Sequence, residues 1–125
     1  MGKQNPETRV QNGSFLAVGQ RKDVMVWRQQ VGKYRHLNQP NLLVSIGVPG
    51  MADSMGVVAV EITPEMVGKT IGVAIAPEFK TATGRQAEAQ KLWQAAFEAR
   101  GGVYRLIRSP EEMVQFVEDV KHGRW

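Results

Sequence analysis

The chain has no cysteine in its 125 residues. That removes disulfide frameworks, thiol nucleophiles and cysteine-based zinc sites from consideration. Histidine is nearly as scarce. His36 and His122 stand far apart, without the H-x-x-x-H spacing of a zinc peptidase. No apolar run is long enough to span a bilayer, and Met1 to Pro6 is polar rather than signal-like, so the expected protein is soluble, intracellular and cytoplasmic, with no membrane partner. Low-complexity tracts, repeats and obvious linkers are missing too. A single domain over 1–125 is expected, large enough to bury a core without a disulfide or structural metal. Base is present in excess: Lys and Arg number 16 against 12 acids, for a net charge of +4 and a pI near 9.7. A mild excess of this kind suits a polyanionic partner.

The stretch Thr70 to Arg100 organises the rest. Ile71 to Ala76 is short, apolar and partly β-branched, and reads as a buried strand. It runs into Glu78-Phe79-Lys80. Strand side chains alternate, so Glu78 and Lys80 share a face and Phe79 is expected to turn into the core. Glu-x-Lys is common, and alone it reads as an exposed ion pair. A polar loop, Thr81 to Gly84, leads to a helical pattern beginning at Arg85, with Ala89, Leu92, Trp93, Ala96 and Phe97 at helical spacing. Gln90 lies on a neighbouring face, so a carboxylate, a lysine and an amide from two adjoining elements are placed where convergence on one spot is open to them.

Upstream, Asn5-Pro6-Glu7 reads as a helix start with Asn5 as cap, and Val10, Leu16 and Ala17 are expected to face the core. Val24 to Arg28 is strand-like, with Trp27 in the core or at an interface. Arg28, Lys33, Tyr34, Arg35 and His36 interleave bases and aromatics over a hairpin or loop; phosphate contacts and stacking are one reading, a solvated loop the other. Leu42 to Val48 reads as a strand, Gly47 to Gly50 as a turn and Gly56 to Ile62 as a buried strand. Asp53 stands at the entrance to that strand, as a turn cap or as a functional acid, and strand alternation puts Glu61, a reserve acid, on its face.

Gly68-Lys69-Thr70 copies the tail of a phosphate-binding loop, but Thr63 replaces the required glycine and a strand follows instead of a helix. Thr63-Pro64-Glu65 instead starts a helical turn. Downstream, Gly101-Gly102 marks a helix end and Val103 to Ile107 a final strand, so a parallel crossover is expected. Ser109-Pro110-Glu111-Glu112 is a capping box, followed by an apolar stripe of Met113, Phe116, Val117 and Val120.

Taken together, Glu78-x-Lys80, Thr81, Gly84, Gln90, Trp93, Gly101-Gly102 and Arg108-Ser109 resemble the virus-type replication-repair nuclease (VRR-NUC) domain of the PD-(D/E)xK nuclease superfamily, in its viral stand-alone form. The resemblance is clearest from about Gly47 to Val117. It implies an α/β fold with a restriction-endonuclease-like core in the order αβββαβ, a mixed central sheet flanked by helices. It implies a metal-dependent, structure-specific DNA endonuclease acting on branched DNA such as Holliday junctions, as a homodimer. Asp53 and Glu78 would ligate magnesium, or manganese in its place, with the Phe79 backbone carbonyl completing the protein ligands. Lys80 would hold the attacking water and steady transition-state charge, Gln90 would orient the water or a phosphate oxygen, and Glu7 would support the site from the first helix. The superfamily's adjacent Pro-Asp pair is altered here, since Pro49 and Asp53 are separated and Ala52 precedes the aspartate. The alternatives are a non-catalytic basic nucleic-acid-binding module and, ranked last, an assembly protein of a phage-like genome.

Overall fold

A computed structural model describes residues 5–29 and 32–125; the polar residues 1–4 and residues 30–31 of the basic loop lie outside the described residues. The architecture is mixed α/β. In chain order the elements are α1 (Pro6–Val18), β1 (Val24–Arg28), β2 (Gly32–Arg35), β3 (Leu43–Ile46), β4 (Ser54–Val58), a 3-10 turn (Pro64–Met66), β5 (Ile75–Phe79), α2 (Glu88–Glu98), β6 (Val103–Ile107) and α3 (Pro110–Lys121). Among the described residues the strands pair two by two: β1 with β4, β2 with β3, and β5 with β6. Two units divide the chain, one of Met1–Gln20 with Val26–Gly56, the other of Arg21–Met25 with Val57–Trp125.

In the first unit, α1 starts as its sequence dictates. The Asn5 side-chain oxygen accepts the Glu7 N–H at 2.8 Å and Pro6 takes the first helical position. The expected core face of this helix does not form: Val10 is 69% and Leu16 82% exposed. Six residues at about 100° each put these side chains roughly 120° apart around the helix, so they share no stripe. β2 and β3 form an antiparallel hairpin, registered from Gly32 opposite Ile46 to Arg35 opposite Leu43. The strand expected over Leu42 to Val48 is thus trimmed to the hairpin's paired length, and every β3 residue is exposed. No described residue of this unit is buried.

The second unit holds the core. β5 and β6 are parallel, registered from Ile75 opposite Val103 to Phe79 opposite Ile107, and α2 is the crossover between them. β5 lies further along than the expected strand because pairing with β6 defines it. The ladder is bracketed by Val103 N–H on the Ala74 carbonyl and Lys80 N–H on the Ile107 carbonyl, both 3.0 Å. Alternate backbone groups therefore face β6 at Ala74, Ala76, Glu78 and Lys80, and face away at Ile75, Pro77 and Phe79. Pro77 thus costs the ladder no donor, and the Phe79 carbonyl is not taken by it.

β6 is covered on both faces. Val103 and Ile107 pack with Phe116 of α3, which is fully buried, with Val73, Met113 and Val120 around them. On the other face Tyr104, the register partner of Ala76, lies against Trp93 at 6.2 Å between ring centroids, and Trp93 stacks on Phe97 at 4.7 Å. Burying three apolar rings supplies several kcal/mol, at about 25 cal/mol per Å². The two stripes are narrower than their sequence patterns: Leu92 is 74% and Val117 44% exposed.

α2 begins at Glu88, later than expected, and ends in paired bonds from Gly102 N–H to Phe97 O (3.1 Å) and Gly101 N–H to Glu98 O (3.0 Å), with Gly101 at φ +88°. α3 is capped by Ser109 Oγ, which accepts Glu112 N–H at 3.2 Å, while the Glu112 carboxylate accepts the backbone N–H of Arg108 rather than that of the cap residue, at 2.6 Å. Arg105 lies over the Phe116 ring and donates to Asp119 at 2.8 Å. That bond first, then one from Gln115, holds the Asp119 carboxyl at about 2, below its ordinary 3.8.

Val24 and Val57, on β1 and β4, are also buried in this unit, and Ala59 N–H donates to the Asp23 carbonyl at 2.7 Å. The buried strand expected over Gly56 to Ile62 stops at Val58. Val58, Val60 and Ile62 are 60%, 64% and 73% exposed, because no partner strand continues past that bond among the described residues. Asp53 and Glu61 lie beyond opposite ends of β4, so strand alternation does not relate them.

Candidate catalytic centre

Three of the sequence-predicted residues meet within the second unit. Glu78 is on β5, Lys80 follows the strand, and Gln90 is in the first turn of α2. Lys80 Nζ lies 3.5 Å from Glu78 Oε1, and the side chains are 21% and 29% exposed. Gln90 Nε2 donates to the same Glu78 oxygen. Its other end is also fixed: Gln90 Oε1 accepts the backbone N–H of Ala87 at 2.9 Å. Ala87 has no side-chain acceptor, so this is half of a capping box. The two partners orient the amide, because reversing it would set an oxygen against the carboxylate and an NH2 against an N–H donor. The helix start and the acid are thus tied to one side chain.

The loop after Lys80 is pinned by residues that the sequence had marked. Arg108 Nη1 donates to the carbonyls of Thr81 at 2.5 Å and Gly84 at 2.9 Å. Gly84 N–H in turn donates to Thr81 Oγ1 at 3.1 Å. Thr81, Gly84 and Arg108 therefore act together, holding the segment that leaves Lys80.

Phe79 corrects the sequence expectation. Its side chain is 67% exposed instead of packed in the core. Alternation does turn it from Glu78 and Lys80, but Ile107, Phe116 and Met113 pack together on that face without it, and Phe79, at the strand end, stays on the rim of a hollow.

Tyr104 was not anticipated. It lines a recess of about 280 Å³ with Ala76, Glu78, Gln90 and Trp93, and its buried hydroxyl has no hydrogen-bond partner among the described residues. The available signal was its place in the parallel crossover. Pairing Tyr104 with Ala76 puts it on the face of Glu78, two residues further along β5.

Glu7 and Asp53 are in the first unit and line one cleft of about 650 Å³, with Gln11, Arg28, Gln29 and Ser54 also on its wall. Both acids are exposed. The Asp53 carbonyl accepts Gln29 N–H at 2.8 Å, Gln11 donates to Ser54 Oγ at 3.3 Å, and Arg28 Nη2 donates to Asn12 Oδ1 at 3.1 Å. Arg28 therefore belongs to this cleft. Lys33, Tyr34 and Arg35 are exposed on β2, where alternation puts the two cations on one face and the ring on the other. Arg35 also donates to the Pro40 carbonyl at 3.0 Å.

Within the second unit, the Glu78 carboxylate and a Phe79 carbonyl outside the ladder fit a hard divalent cation; within the first, the Glu7 and Asp53 carboxylates do. Among the described residues no three His, Cys, Asp or Glu side chains gather as a ready-made cage. Magnesium needs only one or two carboxylates and keeps its waters, so the set suits it better than a metal requiring an all-protein shell.

No protein-family model, no curated protein and no solved structure matches the chain.

Proposed function

We propose that this chain is a magnesium-dependent, structure-specific DNA endonuclease with a restriction-endonuclease-like core, cutting branched DNA such as a Holliday junction. The observation that carries the reading is the meeting of Glu78, Lys80 and Gln90 at the carboxyl end of β5, with the loop after Lys80 pinned by Arg108.

The chemistry follows from the side chains. Hydrolysis attaches a water oxygen to phosphorus, breaks one phosphodiester P–O bond and delivers a proton to the leaving oxygen. The Lys80 ammonium donates to the attacking water, favours its deprotonation and offsets charge that develops on the phosphate. Its pairing with the partly buried Glu78 at 3.5 Å keeps it aimed. Gln90 fixes the Glu78 carboxylate and presents its amide to the same space. Glu78 and the Phe79 carbonyl are the magnesium ligands proposed from this unit, and the resemblance adds Asp53 as a ligand and Glu7 in support; manganese would substitute. The bound cation supplies Lewis-acid stabilisation of the phosphate and a lowered water pKa.

Charge and surface agree with a DNA substrate and a homodimer. The net charge is +4, and Lys33 and Arg35 are exposed. The β2–β3 hairpin leaves Leu43 57%, Val44 37% and Ile46 37% exposed, apolar area that self-association would cover. Among the described residues no helix is long and apolar enough to cross a membrane; a DNA substrate puts the protein in the cytoplasm, that of the host cell if it is virally encoded.

The test uses purified protein with labelled duplex, flap, splayed and four-way DNA, with magnesium, manganese or chelator. Metal-dependent cuts in branched substrates are expected, and Lys80→Ala should abolish them while DNA binding and the circular-dichroism spectrum persist. Cleavage by Lys80→Ala at the wild-type rate removes this lysine from the mechanism. Binding without any cleavage by the wild type returns the chain to a non-catalytic binding module.

A further inference from the structure

We infer that a second hollow of this unit, at the carboxyl ends of β5 and β6, is a subsite for an unstacked nucleobase, with Phe79 as its stacking surface. The inference rests on the nuclease reading and deepens it, because it names the feature of branched DNA that the chain recognises.

The hollow measures about 470 Å³, and Phe79, Lys80, Ile107, Arg108, Pro110 and Met113 line it. Its lining is divided by chemistry. Ile107, 2% exposed, with Met113 and Pro110 supplies the apolar part, and the Phe79 ring stands open to solvent beside them. Arg108 and the Lys80 stem line it too; the Lys80 ammonium is paired with Glu78 on the other face, so the Arg108 guanidinium, one nitrogen of which donates to the Thr81 and Gly84 carbonyls, is the cation on this side. The Glu112 carboxylate accepts the Arg108 backbone N–H and is not part of the lining. An apolar recess with a few convergent polar groups is the usual form of a small-ligand site. In open α/β sheets such sites lie at the carboxyl ends of parallel strands.

Charge decides the occupant. A nucleotide combines a flat apolar face with one phosphate, matching an open aromatic ring beside the Arg108 guanidinium.

Chain geometry ties the subsite to the proposed chemistry. Phe79 sits between Glu78 and Lys80, and alternation turns its ring from the face that those two share. A base on Phe79 is then held one residue from the groups proposed to act on the phosphate. Bases inside a duplex are stacked on both sides and closed to such a ring, whereas those at a branch or in a single strand are available. The subsite would therefore favour branched and single-stranded DNA over duplex.

The test measures binding by fluorescence anisotropy in chelator, so that cleavage plays no part, with labelled duplex, single-stranded and four-way DNA. Phe79→Leu keeps an apolar side chain at an exposed position, and Phe79→Trp keeps a stacking ring. Phe79→Leu should weaken single-stranded and four-way binding roughly five- to tenfold, the low end for a lost base stack. Duplex binding should not change, and Phe79→Trp should restore affinity and quench a 2-aminopurine placed at the branch. Wild-type affinity of Phe79→Leu for all three DNAs overturns the subsite alone, and so does an equal loss on all three. A shift of Phe79→Leu from dimer to monomer with DNA affinity intact also overturns it, since the hollow would then be a self-association surface. A wild-type protein that binds none of the DNAs overturns the nuclease reading together with the subsite.

Discussion

Replacing Gln90 by glutamate keeps one of its bonds and inverts the other. The new side chain still accepts Ala87 N–H, and a carboxylate in the first turn of α2 also favours the helix dipole. The bond to Glu78 is lost, and an acceptor now faces an acceptor. A hydrogen bond to a charged group contributes about 1.5–3 kcal/mol; at this partly exposed position the low end applies. Repulsion between the acids adds to the loss, but Glu78 is 29% exposed and water screens much of it. A net destabilisation of roughly 2 kcal/mol at neutral pH follows, which at this length lowers Tm by about 6 °C.

The pH dependence has a defined sign. Two facing carboxylates bind a proton more tightly when folded than when unfolded, so acid relieves the variant. Its Tm deficit should be largest near pH 8 and shrink toward pH 5. Thermal unfolding followed by circular dichroism across that range is the assay. Gln90→Leu, which loses both bonds, should show a deficit that does not vary with pH over the same range. If Gln90→Glu is as stable as wild type, or its deficit ignores pH, the Gln90–Glu78 bond is not made in solution and the account of how Glu78 is held is wrong.

A Cβ added at Gly102 would sit 2.5 Å from the Phe97 ring, so Gly102→Ala must displace the Trp93–Phe97 stack; a loss of about 1–3 kcal/mol in urea unfolding is expected, and an unchanged midpoint would contradict the packing. Asp119 has a folded pKa of about 2 against an ordinary 3.8, so its contribution is complete above about pH 4 and disappears as pH falls through about 2. Asp119→Asn should then lower Tm by the same amount from pH 8 to pH 5, with the gap closing toward pH 2; a gap that persists there would deny the Arg105 bond its role. Asp53→Asn should weaken magnesium binding at least tenfold by calorimetry, and an unchanged isotherm would remove Asp53 from the ligand set.

The sequence was most legible where local chemistry and tertiary packing agree. Val103 to Ile107 and Ser109 to Lys121 carry both a pattern and a cap, and β6 and α3 form where those signals stand. Glu78, Lys80 and Gln90 converge because a strand alternation and a helix start were both readable. Legibility failed where an apolar residue needs a partner from elsewhere in the chain. Val60 and Ile62 look like core, yet β4 has already ended, and Leu16 lies on a helix with no second apolar residue on its side. Phe79 departs from its expectation because alternation gives a direction and not a contact; Ile107, Phe116 and Met113 form the core on its face without it. Tyr104 was missed for the opposite reason: its relevance depends on strand register, which no single segment encodes.

Pro77 has a consequence for how copies of this protein meet. The outer rim of β5 presents amide donors at Ile75 and Phe79 and nothing between them, so an incoming strand would find its hydrogen-bond row interrupted at the middle. Sheet extension across that rim is interrupted by the imino acid itself, which guards the parallel pair against fibrillar stacking and steers any pairing of subunits toward side-chain surfaces elsewhere.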